Sequence, residues 1–153
     1  MQTKIQLTPE GFKKLELEYK ELIEIKKPKA IDNLQKARAM GDLSENSAYT
    51  SSREELALVE GKVREIEQIL KLAEIVKNDP GNSTVTLGSK ITVEANGKQD
   101  EFQIVGEFEA DPMNKKLSST SPLGSGFLGK KINEQVEIQI PAGKIIYTIK
   151  NIS

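Results

Sequence analysis

Seven residues in the middle of the chain, Tyr49, Leu56, Val59, Val63, Ile66, Leu70 and Ala73, fall on a single heptad frame, with Ser52 in the a/d slot after Tyr49. Such spacing predicts a long helix with one apolar stripe that must be buried against a partner. A partner lies immediately upstream. Thr8-Pro9-Glu10 reads as a helix start, with Thr8 as N-cap, Pro9 at the first helical position and Glu10 on the positive end of the dipole. Phe12, Leu15, Tyr19 and Leu22 then follow at spacings of 3, 4 and 3. Pro28 interrupts the seam, which resumes at Ile31, Leu34 and Ala37 in a changed phase. This pattern predicts one helix from residue 9 to about 40, bent or locally unwound near Lys27-Pro28.

Only Met40-Gly41-Asp42-Leu43-Ser44-Glu45-Asn46 separates the two seams. So short a connection reverses the chain, so the arms form an antiparallel coiled-coil hairpin, each arm of about 30 residues being roughly 45 Å long. Beyond Asn78-Asp79-Pro80-Gly81-Asn82-Ser83, a linker by composition, the apolar period changes to two. Val85, Leu87, Ile91 and Val93, the Asn96-Gly97 turn, and Phe102 with Ile104 read as strands with a type I′ hairpin. Leu117-Ser118-Ser119 reads as a further strand and residues 121–128 as a short helix opened by Ser121 and Pro122. Val136, Ile138 and Ile140 alternate before Pro141-Ala142-Gly143-Lys144, and Ile145, Tyr147 and Ile149 after it. The fold class is α+β: a hairpin over residues 1–77 with its tip at 41–46, a linker at 78–84, and an antiparallel sheet with one short helix over 85–153.

The chain has 153 residues and contains neither cysteine nor histidine. That excludes Ser-His-Asp and Cys-His nucleophiles, thiolate or imidazole zinc sites, and disulfides. Oxygen ligands remain, and they suit hard cations. Residues 1–79 hold 14 basic and 15 acidic side chains and residues 80–153 hold 8 of each, so neither half attracts phosphate through net charge. The N-terminal stretch has no apolar run long enough for a signal peptide or membrane span, and a cytoplasmic protein is expected.

The tip concentrates the chemistry. Gly41 can leave the first helix in a left-handed conformation, and Asp42 or Ser44 can cap the next, which would make this helix-stop chemistry alone. Capping uses one carboxylate, however, whereas Asp42 and Glu45 lie three apart and can converge at the end of the rod. Two carboxylates supply too few ligands to trap Mg²⁺ unaided, so such a pair suits completion of a metal site belonging to another molecule.

The segment Ala37-Arg38-Ala39-Met40-Gly41-Asp42-Leu43-Ser44-Glu45-Asn46-Ser47-Ala48-Tyr49, followed by Arg53-Glu54-Glu55 and Val59-Glu60-Gly61-Lys62-Val63, resembles the Gre family of bacterial transcript-cleavage factors. Leu7-Thr8-Pro9-Glu10-Gly11, Gln103-Ile104-Val105-Gly106, Glu109-Ala110-Asp111-Pro112, Thr120-Ser121-Pro122-Leu123 and Leu128-Gly129-Lys130-Lys131 extend the likeness over almost the whole chain. The resemblance implies a C-terminal domain of FKBP-like fold and a monomer. It implies a hairpin that enters the secondary channel of RNA polymerase and stimulates the polymerase to cleave the 3′ end of backtracked nascent RNA. Asp42 and Glu45 would then complete the polymerase Mg²⁺ site, and Ser121-Pro122 would help dock the β domain on the channel rim. The factor itself would not be an enzyme.

Arg38 and Arg53 lie close enough to the tip to contact RNA or an acidic channel wall, or else are ordinary solvated cations paired with neighbours such as Glu54. Tyr49 reads as a d-position contact closing the hairpin end, with direct substrate contact as the alternative. Ser121-Pro122 equally reads as a helix cap. One departure from the family pattern stands out: Ala48 occupies a usually acidic position, which is expected to raise the Mg²⁺ requirement. Within the family, the near-neutral hairpin favours members with little basic surface and short products. Competing readings are a Gre-like paralogue that inhibits or only modulates polymerase, a prolyl isomerase, and a coiled-coil adaptor.

Overall fold

A computed structural model of the chain describes residues 3–41, 45–78 and 83–153. The chain divides into two compact units: one is Lys13–Leu72, and the other gathers the described residues up to Phe12 with those from Ala73 onward.

The helical unit is the expected hairpin. Its first arm runs through α1 (Pro9–Glu21), a π-helical turn (Leu22–Lys26) and α2 (Lys27–Ala39); its second is α3 (Ser47–Leu72). The π turn lies just ahead of Pro28, which has no N–H for the carbonyl four residues back and whose ring crowds that carbonyl in a regular α-helix. Lys27 N–H bonds instead to the Leu22 carbonyl, five residues back, and the wider turn absorbs one extra residue. The seam of Leu15, Tyr19 and Leu22 would otherwise continue through positions 26, 29, 33 and 36; moved on by one it passes through Lys27, Ala30, Leu34 and Ala37. Ala30 and Ala37 are buried, whereas Ile31 is 37% exposed. The phase change foreseen at Pro28 is therefore present, but Ala30 rather than Ile31 occupies the seam.

On α3, Val63 and Ile66 are buried against Leu22, with Leu15, Tyr19, Val59 and Leu70 packed around them. Burial of each such aliphatic side chain stabilises by about 1.5–3 kcal/mol, which matters because an isolated helix has little stability of its own in water. The Tyr19 hydroxyl donates to Glu67 Oε1 across the arms at 2.7 Å. That hydrogen bond, together with the carboxylate's charge, holds the phenol above its ordinary range. Among the described residues, no helix is long and apolar enough to cross a membrane.

The other unit begins with a parallel pair that the apolar pattern did not reveal: β1 (Ile5–Leu7) lies beside β2 (Ala73–Ile75), with Leu7 opposite Ile75. Ala73, expected as the last seam position of the second arm, instead opens this strand. The boundary read at residue 77 thus differs from that of the compact unit, because the backbone of β1 draws the chain out of the helix into a ladder. Both ends of the expected linker are also held. Asn78 Oδ1 accepts from the Thr86 and Ser89 hydroxyls at 3.4 Å each, and Thr84 forms a bridge with Lys131; Asp79–Asn82 lie outside the described residues.

The main sheet contains β3 (Lys90–Ala95), β4 (Lys98–Val105), β5 (Lys116–Ser118), β6 (Gln135–Ile140) and β7 (Gly143–Ile152) in the order β5-β4-β3-β7-β6. Asn96 and Gly97, both at positive φ, form the tight turn between β3 and β4. The sheet is mixed rather than wholly antiparallel, since β5 runs parallel to β4. Two 3₁₀ turns, Glu107–Glu109 and Pro112–Asn114, fill the β4–β5 connection and return the chain in the same direction. The short helix α4 (Pro122–Phe127) delivers Phe127 into a core of Val85, Leu87, Ile91, Val93, Ile104, Val136 and Ile149. Phe102 stacks on Phe127 at 6.3 Å and Tyr147 meets it edge-on at 5.6 Å. All three rings are thus committed to packing in the core.

Within this unit the Glu109 carboxylate caps the start of α1. It accepts from Thr8 N–H at 2.9 Å, from the Thr8 hydroxyl, and from Gly106 N–H at 3.0 Å, while Thr8 Oγ1 accepts from Gly11 N–H at 3.1 Å. Thr8 is the N-cap expected from sequence; Glu109, 101 residues away, was not foreseen. A methyl group on Gly11 would overlap that carboxylate. Gly11→Ala should displace Glu109 from its three donors and destabilise the protein by about 1–3 kcal/mol. Urea unfolding of Gly11→Ala beside Glu109→Gln checks this; an unchanged midpoint would show that the carboxylate relocates freely.

Candidate functional site

The closed end of the hairpin is built by a reversal that begins at Gly41, whose φ of 108° is left-handed, as expected of a residue leaving a helix. Asp42, with Leu43 and Ser44, lies outside the described residues. Glu45 is exposed, and no hydrogen bond or ion pair engages its carboxylate among the described residues. The next residue explains why. Asn46 Oδ1 accepts from Tyr49 N–H at 3.1 Å, making Asn46 the N-cap of α3. Its Nδ2 donates to the Ala37 carbonyl at 2.7 Å, which also accepts from Met40 N–H at 3.2 Å where the first arm ends. One amide therefore caps both arms and ties them together.

The sequence offered Asp42 or Ser44 for a cap here; both lie outside the described residues, among which Asn46 holds that role. Asn is among the preferred N-cap residues, so the signal was present at position 46; its second role depends on the neighbouring arm and was not legible. The consequence for the acids is direct. With Asn46 capping α3, Glu45 is left available to a ligand.

Arg38 and Arg53 come from different arms and converge on Tyr49. Their guanidinium carbons lie 5.9 Å and 5.8 Å from the centre of the same ring. Tyr49 is half-buried and both arginines are exposed. The alternative of an ion pair between Arg53 and Glu54 is not adopted among the described residues. Ala48 is exposed on the first turn of α3, so the side chain at the usually acidic position faces solvent.

The remaining candidates, Ser121 and Pro122, belong to the β-containing unit. Ser121 Oγ accepts from Gly124 N–H at 3.0 Å and donates to the Ser118 carbonyl at 2.6 Å, so the capping role is realised. Pro122 occupies the first turn of α4 and is exposed.

A helical hairpin with an exposed carboxylate and two guanidinium groups near its closed end, in one chain with a small mixed-sheet unit, defines a class of two-unit protein that presents charged side chains at the end of a rod. The comparisons specify which. Residues 5–75 match the family described as "Transcription elongation factor, N-terminal", and residues 80–153 match "Transcription elongation factor, GreA/GreB, C-term". The transcription elongation factor GreA of Bacillus subtilis (strain 168) is 42% identical over 149 residues, covering 96% of this chain and 95% of that protein. That of Caldanaerobacter subterraneus subsp. tengcongensis is 42% identical over 142 residues, 91% and 90% respectively, and that of Lactococcus lactis subsp. lactis 39% identical over 152 residues, 97% of each. The chain belongs to the GreA/GreB family of transcription elongation factors.

Asn46→Ala removes the cap and the bridge and should destabilise the hairpin by about 0.5–2 kcal/mol. Asn46→Asp keeps an acceptor for Tyr49 N–H but cannot donate to Ala37, so it should recover only part of the loss. Denaturant unfolding, with amide exchange at residues 47–50, distinguishes the three proteins.

Proposed function

We propose that this chain stimulates RNA polymerase to cleave the 3′ end of backtracked nascent RNA, rescuing arrested complexes without being a nuclease itself. The hairpin enters the secondary channel of the polymerase in the cytoplasm as a monomer, and the segment around Ser121-Pro122 contributes to docking. The observation that carries this reading is the exposed Glu45 carboxylate at the end of the rod, left available because Asn46 performs the capping. Family membership supplies the polymerase as partner.

The donor set fits a shared Mg²⁺ rather than a resident one. Asp42 and Glu45 offer hard carboxylate oxygens, but an octahedral ion needs about six ligands, so polymerase residues, RNA and water must supply the rest. When bound there, the ion would lower the pKa of attacking water and stabilise the leaving oxygen. This chain's acids would hold the ion and orient that water; Arg38 and Arg53 would offset the repulsion between acids and RNA phosphates. The nearly balanced charge of the hairpin favours the GreA type, with short cleavage products.

In a stalled, backtracked complex with 3′-labelled RNA, the wild type should release short 3′ fragments. Asp42→Asn and Glu45→Gln should each reduce the rate at least about 100-fold, the scale of losing a group that stabilises transition-state charge, while still binding polymerase. Equal release by the variants would reject the metal-ligand role; slower transcript extension without cleavage would indicate an inhibitor. Ala48→Glu adds a third carboxylate and should lower the Mg²⁺ concentration for half-maximal cleavage. An unchanged Mg²⁺ titration would remove position 48 from the account.

A further inference from the structure

Arg38 ends the first arm and Arg53 sits in the second turn of the other, yet both guanidinium groups lie within 6 Å of the centre of one ring, that of Tyr49. The backbone that carries the ring is held, because Asn46 bonds the Tyr49 backbone N–H and, through its other end, the carbonyl of Ala37, the residue before Arg38. We propose that Tyr49 is a positioning residue that gathers Arg38 and Arg53 into one guanidinium pair for a phosphodiester of single-stranded RNA. The inference rests on the function proposed above and deepens it by naming what the two arginines receive and what holds them.

A cation resting against an aromatic ring is attracted by the ring's quadrupole, yet its N–H donors remain available to an oxyanion. Neither arginine forms an ion pair among the described residues. The charge setting favours phosphate as the occupant. Each half of the chain is almost neutral, so no general field draws RNA in, and Glu45 at the same end repels it. Two cations fixed by one ring provide a local counter-charge where a polyanion must approach an acidic tip. Tyr49 touches neither RNA nor metal in this account; it acts through the arginines.

Two measurements on the full chain test the proposal. In NMR spectra of the free protein, the side-chain signals of Arg38 and Arg53 should be displaced by the Tyr49 ring current, restored to random-coil positions in Tyr49→Leu, and kept displaced in Tyr49→Phe. Absence of displacement in the wild type overturns the clamp whatever the protein's function. On the backtracked complex, Tyr49→Leu should raise the concentration for half-maximal cleavage about 4–25-fold, taking roughly 2–5-fold for each exposed cation–π contact, while Tyr49→Phe stays within about 2-fold.

A double-mutant cycle separates positioning from packing. Arg38→Leu and Arg53→Leu should each weaken the factor less in the Tyr49→Leu background than alone; strict additivity would mean that Tyr49 merely packs, and would overturn the proposal. Affinity for RNA-free polymerase should not change in Tyr49→Leu. An equal loss there would assign the pair to acidic groups of the polymerase and overturn the RNA assignment. A wild type that releases no fragment overturns the proposed function and the RNA assignment with it, while the ring-current result still decides the clamp.

Discussion

Everything at the tip depends on the first arm keeping its apolar stripe against α3 through the interruption at Pro28. A proline inside a helix removes a donor and crowds a carbonyl, which would ordinarily bend the arm away from its partner. Here one π turn ahead of the proline takes up an extra residue and re-aims everything after it, so that Ala30, Leu34 and Ala37 continue the stripe begun by Leu15, Tyr19 and Leu22. A shift of one residue is about 100° of rotation around a helix of 3.6 residues per turn. Without it Ala37 would leave the seam and its carbonyl would be out of reach of Asn46. Arg38, the next residue, would then no longer lie over Tyr49.

The small seam residues have a related consequence. Ala30 and Ala37 are almost completely buried, so the seam of α2 carries little bulk towards the tip. There a short amide side chain spans from the start of α3 to a carbonyl near the end of α2. Among the described residues the tip is held by backbone-directed bonds from Asn46, and Arg38, Glu45 and Arg53 enter no ion pair there. That division leaves Glu45, Arg38 and Arg53 to be used on something else.

A second carboxylate shows the opposite allocation. Glu109 is consumed by structure: it takes two hydrogen bonds from Thr8 at the N-terminal end of α1, where negative charge is favoured, and a third from Gly106 N–H, and Gly11 is required because no side chain fits beside it. The blocks Thr8-Pro9-Glu10-Gly11 and Gly106-Glu107-Phe108-Glu109, far apart in the chain, are thus two sides of one contact. Carboxylate chemistry alone does not separate Glu45 from Glu109; their donors do.

Periodicity by itself determined the two arms, their antiparallel sense, the position of the phase break, the β3–β4 turn at Asn96-Gly97 and the Ser121 cap, because each follows from residues only a few positions apart. The candidate site was legible as far as its membership: Glu45, Arg38, Tyr49 and Arg53 were singled out from spacing and resemblance. What local pattern could not supply was any pairing between distant backbones. The β1–β2 ladder, the parallel β5, the reach of Asn46 to Ala37 and the capping of α1 by Glu109 join segments whose own propensities do not name a partner. Tertiary structure decided these, since a hydrogen bond between remote residues is specified by the whole packing that brings them together. For the same reason, only the assembled hairpin shows that two arginines read separately from the sequence share a single ring.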